Sequence, residues 1–478
     1  MNIDRPAASQ TFFFIALAGI FLLIISPTWL SDGMFMDGTI YATLARNLAI
    51  GSGTFWQPHF TNTLFPAFVE HPPLAFGIEA LFFKIFGDTR FVERFYSLLT
   101  IIITAIIIVL TWKEIFRKSQ YGWIPLLFWI AMPSVNWAAV SHMLENTLAI
   151  FICLSVLFCL KSTSSKRILY LILSGIMLSL GFLTKGFVTF TPLALPFFMW
   201  LFLRKNNFLA MVADTIIITA SAIIPLLLLY LFTGAHEFLP QYIRFAFSKI
   251  STGETAPSRF YILYKLAMDL LPSAAIFSAF LLYSHKKRVP LKSIKSDLRM
   301  AALFFSLGLA GVVPILTTMD QSAYFLLLSL PFFAIAIGIL INPLAAAACD
   351  KINYRSKGYR IFKIAGITAL SAGIILSAYF SGTIKRDKTM LRDLKIISEH
   401  LDDDITINIL PDMNENWPLY TYYARYKNIS LDPDLNNTHD YLLGTTTLYS
   451  DTIERRFVRI DLDTGEYLLF RRKETGSQ

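Results

Sequence analysis

From the N-terminus to about residue 380 the sequence repeats one feature, runs of close to 20 apolar side chains separated by short polar segments. A helix needs a run of about this length to cross the roughly 30 Å hydrocarbon core of a bilayer at about 1.5 Å per residue. With 55% hydrophobic and 16% charged side chains, the chain has more apolar surface than one soluble core can bury. The composition therefore excludes a soluble enzyme.

We predict a polytopic α-helical membrane protein with about eleven membrane-spanning helices, two of them short. The first run is longer than the apolar part of a signal peptide and lacks small residues at its end, so we expect a retained anchor. The predicted spans are approximately 11–30, 95–111, 122–140, 147–160, 168–183, 187–203, 212–232, 262–283, 300–316, 323–342 and 362–380.

The basic residues predict the orientation of the chain. The net charge of +9 would suggest nucleic acid in a soluble protein, but here Lys and Arg gather in alternate loops, which is typical of cytoplasmic loops of membrane proteins. We therefore expect an integral protein of the bacterial inner membrane, with a cytoplasmic N-terminus and an extracytoplasmic C-terminus. The residues that support this are Lys113, Arg117, Lys118, Lys161, Lys166, Arg167, Arg204, Lys205, Lys286, Lys287, Arg288, Lys292, Lys295, Arg299, Lys351, Arg355, Lys357 and Arg360.

Two segments on the predicted outer side are too long to be simple connectors. The first outer loop, 31–94, contains amphipathic stretches at Thr39 to Leu48 and Leu74 to Phe86, which are typical of helices lying at an interface. The polar segment 385–478 predicts a small soluble α/β domain, so we divide the chain into a transmembrane domain, 1–384, and this extracytoplasmic domain. Its predicted helices are Met390 to Leu401 and Trp417 to Tyr426, and its strands Ile405 to Leu410, Tyr441 to Leu448, Phe457 to Leu462 and Tyr467 to Arg471.

Candidate catalytic carboxylates lie in the outer loops. Asp37 follows the first predicted span and is either a general base or the N-cap of the next helix, since Asp satisfies free N–H groups at a helix start. Glu70 and His71 precede two prolines that stiffen the backbone. That pair is either part of a site on a rigid bend or an ordinary turn before a helix.

Charges in the tight outer turns between helices are costly at membrane depth, so pairing or function is expected for them. Glu145 lies in one such turn and Lys185 in another, although Lys185 has the alternative of extending its ammonium to the interface. Arg94 is either a lipid anchor or a phosphate ligand. The outer loop at about 233–261 adds the cations Arg244, Lys249 and Arg259, of which Arg244 and Arg259 are taken as candidate site residues.

These residues suit a reaction on a phosphate-linked lipid. Cations neutralise a phosphate leaving group, while a carboxylate takes a proton from the incoming nucleophile. No cofactor is required for this chemistry. Glu70, His71 and His142 are weak candidates for a divalent metal site, the alternative being that the histidines are only hydrogen-bonded.

Four short motifs resemble those of the bacterial membrane glycosyltransferases of the GT-C fold, the group of lipid A aminoarabinose transferase and the protein O-mannosyltransferases. The resemblance extends to the order of the helices and spans about 380 residues. The motifs are MDGTIYATLARN at 36–47, EHPPL at 70–74, RFYS at 94–97 and LTKG at 183–186.

The resemblance implies a role for each matching residue. It places the general base on Asp37, and catalytic carboxylates on Glu70 and on Glu145, where relatives carry Asp. The Lys of the family's Glu-Lys-Pro-Pro pattern is His71 here, with Lys185, Arg94 or Arg244 as compensating cations. Substrate-binding residues are thus His71, Arg94, Lys185, Arg244, Arg259 and Tyr324, the last without the basic residue that usually precedes it in the family.

The implied activity is an inverting transfer of a sugar from a polyprenyl-phosphate carrier to a lipid A, glycan or protein acceptor on the outer face. Its expected partners are that donor, that acceptor and membrane lipids, with no nucleic acid. The alternative from a different class is a polytopic lipid or glycan flippase without transferase activity. The large outer segments and the few ionisable residues within the predicted spans favour the enzyme.

Overall fold

The computed structural model describes residues 7–117, 121–204, 207–286, 297–446 and 455–473. They form two compact units, which we call the helical unit (Met1–Trp29, Glu70–Leu74, Arg94–Phe380) and the sheet-containing unit (Leu30–Val69, Ala75–Glu93, Ser381–Gln478). Some residues of the sequence predictions lie outside the described ranges: Lys118, Lys205, Lys287, Arg288, Lys292 and Lys295 of the predicted cytoplasmic loops, and Leu448 of a predicted strand.

The secondary structure of the described residues is mostly helical. The α-helices are α1 Ala7–Trp29, α2 Met36–Ile50, α3 Leu74–Phe86, α4 Phe91–Ile115, α5 Trp123–Ile130, α6 Pro133–Ser141, α7 Leu144–Lys161, α8 Arg167–Lys185, α9 Leu195–Phe198, α10 Phe208–Phe232, α11 Ala235–Thr252, α12 Tyr261–Lys286, α13 Leu298–Val312, α14 Leu330–Asp350, α15 Lys357–Tyr379, α16 Lys388–Ser398 and α17 Trp417–Lys427. Short 3-10 helices lie at Gly186–Ala194, Val313–Thr317, Ala323–Leu328 and Pro411–Met413, and a π-helical turn at Met199–Leu203.

Among the described residues, nine helical segments are long and apolar enough to cross a membrane, and a tenth arises if the bent pair α5 and α6 is one span. The two helices of that pair meet at 79°. The bend follows from Pro133 at the start of α6, because the residue before a proline is forced out of the helical region, and Met132 is indeed extended.

The sequence predicted eleven spans, and with the bent pair counted as one span the difference arises at one place. The predicted spans 168–183 and 187–203 lie in one helical segment, Arg167–Leu203, of 37 residues. A straight helix of that length would be about 55 Å long, well beyond the roughly 30 Å of a bilayer core. The α-helix is interrupted inside the segment, because Gly186 has φ +74° and a 3-10 helix begins there.

The sheet-containing unit has a five-stranded mixed sheet built from β3 Thr406–Ile409, β4 Ser430–Asp432, β5 Tyr441–Thr445, β6 Phe457–Arg459 and β7 Tyr467–Arg472. A two-stranded hairpin, β1 Gly53–Thr54 with β2 Gln57–Pro58, precedes it in the chain. The sheet order is β4-β3-β5-β7-β6, in which β3 pairs in parallel with β4 and β5 while β7 pairs antiparallel with β5 and β6. Parallel neighbours need a crossover, and α17 supplies it between β3 and β4.

The α/β character predicted for the C-terminal segment is confirmed. The predicted helices correspond to α16 and α17, and the predicted strands to β3, β5, β6 and β7. Only β4 was missed, because all three of its residues are buried and no alternation of exposed and buried positions marks it. One apolar core is shared by helices and sheet; its fully buried side chains include Ile397, Ile407, Ile409, Tyr422, Ile429 and Leu443.

The domain boundary after residue 384 stays a prediction, and the compact units of the structure are drawn differently. The first outer loop contributes Leu30–Val69 and Ala75–Glu93 to the sheet-containing unit, together with the C-terminal residues. The amphipathic stretches predicted in this loop form α2 and α3. A unit of this kind cannot be recognised from segment lengths, because its two parts are separated by nearly 300 residues of chain.

Candidate functional site

A buried ion pair joins Glu145 to Lys185 in the helical unit. Lys185 Nζ lies 2.5 Å from Glu145 Oε1, and the two side chains are 10% and 1% exposed. Glu145 lies in the first turn of α7, where the helix dipole favours a negative charge. Because Lys185 is buried and paired, the alternative that it extends its ammonium to the interface is wrong.

One oxygen of this pair has no partner. Glu145 Oε2 is buried and makes no hydrogen bond to any part of the chain that the structure describes. A buried acceptor without a partner is unfavourable by about 1–3 kcal/mol, so Glu145 Oε2 is able to accept a hydrogen bond from a bound water or ligand. The pair therefore combines a fixed cation with an unused acceptor.

The backbone of Gly186 fixes the direction of the chain after Lys185, the last residue of α8. Gly186 has φ +74°, and a Cβ atom there would lie 1.5 Å from the hydroxyl oxygen of Tyr242. No side chain fits that space, and a positive φ favours glycine independently. Within the LTKG motif, Gly186 is thus needed for the local backbone geometry, while Lys185 supplies the charge. The hydroxyl of Tyr242 is itself buried, and burial raises its pKa to about 12.

Aromatic rings surround the ammonium of Lys185. Its Nζ lies 5.5 Å from the ring centroid of Tyr324 and 5.8 Å from that of Phe325, distances typical of cation–π contacts. The ring of Tyr324 stacks on Trp137 at 5.9 Å between centroids. Tyr324 thus lies between the ammonium of Lys185 and the ring of Trp137.

A second lysine–carboxylate pair lies at the EHPPL motif. Lys249 Nζ of α11 is 3.4 Å from Glu70 Oε2, with side-chain exposures of 48% and 23%. Lys249 was not among the predicted site residues, since the sequence offers several cations in the loop at 233–261. Only the three-dimensional arrangement of α11 shows which of them reaches Glu70.

His71 is neutral in this environment. Its pKa is lowered well below the usual range, first because the ring is withdrawn from water and then because the positive charges of Lys185 and Lys249 oppose protonation. Both lysines thus act electrostatically on the same imidazole. The residue that stands in place of the family's Lys therefore carries no charge, and the positive potential near it comes from other side chains.

Other predicted residues lie elsewhere in the helical unit. Arg94 is 6% exposed, and its Nη1 donates to the carbonyl oxygen of Val140, so the alternative of a lipid anchor is wrong. Arg244 on α11 and Arg259 before α12 are exposed, and no side-chain ion pair of either is found within the described ranges. His142 is buried between α6 and α7, edge-on to the ring of Tyr96 at 5.9 Å.

Asp37 lies in the sheet-containing unit, as the second residue of α2. The N-cap is Phe35, which makes no side-chain capping bond. The alternative that Asp37 caps the helix is therefore wrong. Its carboxylate is partly exposed in the first turn, where free N–H groups and the helix dipole stabilise a negative charge.

The weak metal candidates do not form a metal-binding group. Across the described ranges, no three or more His, Cys, Asp or Glu side chains are arranged to hold an ion. Glu70, His71 and His142 are thus not brought together in the way that a divalent cation requires. The described geometry offers ion pairs instead.

The sequence is similar to membrane glycosyltransferases over part of its length. Residues 70–232, about a third of the chain, match the family described as dolichyl-phosphate-mannose-protein mannosyltransferase. The undecaprenyl phosphate-alpha-4-amino-4-deoxy-L-arabinose arabinosyl transferase 2 of Proteus mirabilis (strain HI4320) is 31% identical over 164 residues, 34% of this chain and 28% of that relative. The corresponding transferase of Wigglesworthia glossinidia brevipalpis is 27% identical over 195 residues, 40% and 34% of the two chains. The match thus spans about a third of these curated relatives.

Structural similarity covers almost the whole chain. The crystal structure of ArnT from Cupriavidus metallidurans bound to undecaprenyl phosphate superposes with a TM-score of 0.67 over 99% of this chain and all of the other, at 14% sequence identity. The chain has the ArnT fold. The apo oligosaccharyltransferase of Archaeoglobus fulgidus gives a TM-score of 0.51 at 15% identity, over 88% of this chain and 61% of that one.

The ArnT fold confirms the predicted fold class, a polytopic helical membrane protein with a small C-terminal mixed-sheet domain. The chain is an integral membrane protein. The matched family region, 70–232, contains Glu70, His71, Arg94, Glu145 and Lys185. Asp37 lies before that region.

Proposed function

We propose that this chain is a glycosyltransferase that takes its sugar from a polyprenyl-phosphate carrier. The observation that carries the proposal is the pairing of Lys185 with Glu145 and of Lys249 with Glu70, with both lysines acting on the neutral His71. Two cations at one place suit a phosphate monoanion or dianion. ArnT from Cupriavidus metallidurans, whose fold this chain has, was crystallised with undecaprenyl phosphate, a carrier of that class.

The lysines are proposed to bind the carrier phosphate. A phosphate leaving group gains negative charge as its bond to the sugar breaks, so a preplaced cation stabilises the transition state more than the bound substrate. Lys185 is held in position by Glu145 and by two rings. Lys249 is half exposed and paired at 3.4 Å, so it can move from Glu70 to an incoming phosphate at little expense.

Glu145 is proposed to position both the Lys185 ammonium and the sugar. Its Oε1 accepts from Lys185, while its Oε2 stays available to accept from a donor on the sugar. A hydroxyl or ammonium group of the sugar would satisfy that oxygen. Glu145 then fixes the sugar relative to the phosphate, which supplies rate acceleration by orientation.

Asp37 is proposed as the general base. The acceptor hydroxyl transfers its proton to the Asp37 carboxylate while its oxygen forms a bond to the anomeric carbon. The bond between that carbon and the phosphate oxygen breaks, and polyprenyl phosphate leaves with the electron pair. A single displacement of this kind inverts the anomeric configuration and forms no covalent enzyme intermediate.

The acceptor is proposed to be lipid A, another glycan or a protein on the outer face of the bacterial inner membrane. The distribution of Lys and Arg in the loops supports a cytoplasmic N-terminus and an extracytoplasmic C-terminal domain. On that orientation the predicted outer segments are those that carry Asp37, Glu70, Glu145 and Lys185.

The proposal is tested by incubating purified wild-type protein with a panel of radiolabelled polyprenyl-phosphate sugars and a crude envelope extract. We expect label to move to a lipid, glycan or protein fraction, and Asp37→Asn to abolish the transfer. Asp463→Asn is the matched control, because Asp463 is a 97% exposed carboxylate of the same unit. Two results together would favour the flippase hypothesis over the transferase. The wild type would consume no donor in the panel, and it would translocate lipid-linked sugar in proteoliposomes.

A further inference from the structure

Residues 382–385, which follow α15, form main-chain hydrogen bonds with the segment that leads into α2, within the sheet-containing unit. Leu30 to Gly33 runs alongside residues 382–385, with Gly382 N donating to Leu30 O at 3.0 Å, Asp32 N to Thr383 O at 2.9 Å and Lys385 N to Asp32 O at 3.1 Å. This pairing continues to within a few residues of Asp37. The start of α2 is thus connected to the C-terminal segment by main-chain hydrogen bonds.

A buried hydroxyl adds a contact still nearer to Asp37. Tyr422 Oη lies 2.9 Å from the carbonyl oxygen of Met34 and 2.8 Å from Asp387 Oδ2, and its single proton is shared between these acceptors. The side chain of Tyr422 is fully buried. Met34 is three residues before Asp37, so the hydroxyl of α17 fixes the turn from which the proposed base projects.

The other end of α2 is held by the same C-terminal helix. Arg46 Nη2 donates to the carbonyl oxygen of Ala424 at 2.8 Å and to Asn428 Oδ1 at 3.0 Å. Arg46 is 5% exposed, so these bonds form away from water. Contacts from α17 thus bracket α2 at both ends.

We propose that the C-terminal domain serves as a support that fixes α2, and through it Asp37, with Tyr422 as the positioning residue. The inference rests on the proposed function, because it assigns a catalytic consequence to the placement of Asp37. It gives the domain a role in turnover that does not require it to touch the donor. Tyr422 acts through the Met34 carbonyl, and it is not a catalytic residue.

The effect of losing this hydroxyl follows from its surroundings. Tyr422→Phe keeps the ring and its stacking on Tyr426, whose centroid is 5.7 Å away, but leaves the Met34 carbonyl and Asp387 without their shared donor. The turn before α2 then loses a fixed point. Small misplacements of a reacting group reduce turnover by about 10- to 100-fold.

A neighbouring residue provides a matched control. Tyr423 follows Tyr422 on α17, is 1% exposed, and its hydroxyl has no hydrogen-bond partner in the portion of the chain described here. Tyr423→Phe therefore removes a buried hydroxyl from the same helix without releasing α2. The two variants differ in whether the lost hydroxyl contacted Met34 and Asp387, next to the start of α2 and in the C-terminal segment.

The experiment measures amide hydrogen exchange of Phe35 to Tyr41 and transferase turnover for full-length wild type, Tyr422→Phe and Tyr423→Phe. We expect Tyr422→Phe to exchange these amides about five- to tenfold faster, and to lower kcat per donor-binding molecule about 10-fold or more with unchanged donor affinity. Tyr423→Phe should match wild type in both. If Tyr422→Phe yields no folded protein, Arg46→Lys tests the same support from the other end of α2.

Two results would overturn the inference: equal exchange in the two tyrosine variants, or normal kcat for Tyr422→Phe per molecule that binds donor. A loss confined to the amount of folded protein would also overturn it, since a merely structural residue gives that result. If the wild type transfers no sugar from any donor, the proposed function is overturned, and with it the expected effect of Tyr422→Phe on kcat. The exchange data would still show whether Tyr422 fixes the turn before α2.

Discussion

The two units pair their charges differently, and Asp88, whose side chain is 43% exposed, gives the first example. In the sheet-containing unit Asp88 uses both carboxylate oxygens, Oδ1 toward Arg425 Nη1 at 2.7 Å and Oδ2 toward Arg46 Nη1 at 3.5 Å. Arg425 also pairs with Glu93 at 3.0 Å. In the helical unit Glu145 uses one oxygen for Lys185 and leaves the other without a partner in the described residues.

Unpartnered buried atoms occur in both units, since Arg46 Nε and Arg425 Nε also lack a hydrogen-bond partner among the described residues. The difference therefore lies in the cation, arginine in the cluster and lysine in the pairs with Glu145 and Glu70. Arginine, with a planar group of several donors, suits a cluster that joins several segments permanently; here it joins α2, α17 and the turn between α3 and α4. Lysine presents a single ammonium that can exchange one anion for another. We infer that the arginine cluster stabilises the fold, while Lys185 and Lys249 are available to bind the phosphate of a substrate. The predictions below test that division.

The largest effect is expected at Arg425. Arg425→Met leaves Glu93 buried without its cation, and removing one partner of a buried pair typically destabilises a protein by about 3–5 kcal/mol. Chemical unfolding in detergent should show this loss in the sheet-containing unit. Arg392→Met is the control, because Arg392 is 64% exposed and its pair with Asp463 should contribute little. Equal stability of the two variants would contradict a structural role for the cluster.

Glu145→Gln should lower turnover strongly, and it should also lower stability, because Lys185 is left buried without a counter-charge. The amide oxygen of Gln still accepts from Lys185, but the negative charge and its second acceptor oxygen are lost. We expect turnover to fall about 100-fold, in the range observed when one transition-state contact is removed. Steady-state kinetics alongside an unfolding curve measure both quantities. A large loss of stability at unchanged turnover would place Glu145 with the structural charges.

Lys249→Ala should weaken donor binding with little change in stability. The pair with Glu70 is half exposed, so its contribution to folding is below about 1 kcal/mol. We expect the Kd for a polyprenyl phosphate to rise about tenfold, equivalent to roughly 1.4 kcal/mol, with a weaker dependence on salt. Lys395→Ala, at an exposed position on α16, is the control. Unchanged affinity would remove Lys249 from the phosphate site.

The smallest effect concerns His71 and pH. Since the folded state holds the pKa of His71 well below its usual value, the unfolded chain binds a proton that the folded chain does not once pH falls below about 6.5. Stability contributed by neutral His71 is therefore present above that pH and decreases as pH is lowered. Thermal unfolding of wild type and His71→Gln at pH 7.5 and pH 5.5 measures this. A wild-type Tm that drops no further than that of the variant would contradict the shift.

Much of the helical fold could be predicted, because long apolar runs report directly on membrane spans. The predicted starts and ends of α3 and α17 agree with the structure within a residue or two. The count differed at Arg167–Leu203, where irregular helix continues past Gly186. Apolar periodicity does not reveal whether two runs are joined by a turn or by a continuous irregular helix.

The candidate site was predictable in part. Glu145 and Lys185 were recognised separately, since each is a charge in a tight turn, and the structure pairs them. Lys249 was named with the other cations of its loop but not chosen as a site residue, because several cations in one loop look alike until α11 is placed. The structure bears on one alternative each for Asp37 and Arg94, with the N-cap at Phe35 and the bond from Arg94 to Val140, while their roles as base and phosphate ligand stay predictions.

The sequence alone determined that this is a polytopic membrane protein with a C-terminal α/β segment, because hydrophobicity and its period are local properties of the chain. Only the tertiary structure decided which charges meet. Arg425 and Asp88 are 337 residues apart in sequence, and Lys185 and Glu145 are 40 apart. Ion pairs form between side chains that folding brings within a few ångströms, and their energy depends on burial and on remaining partners. Neither quantity is a property of the local sequence.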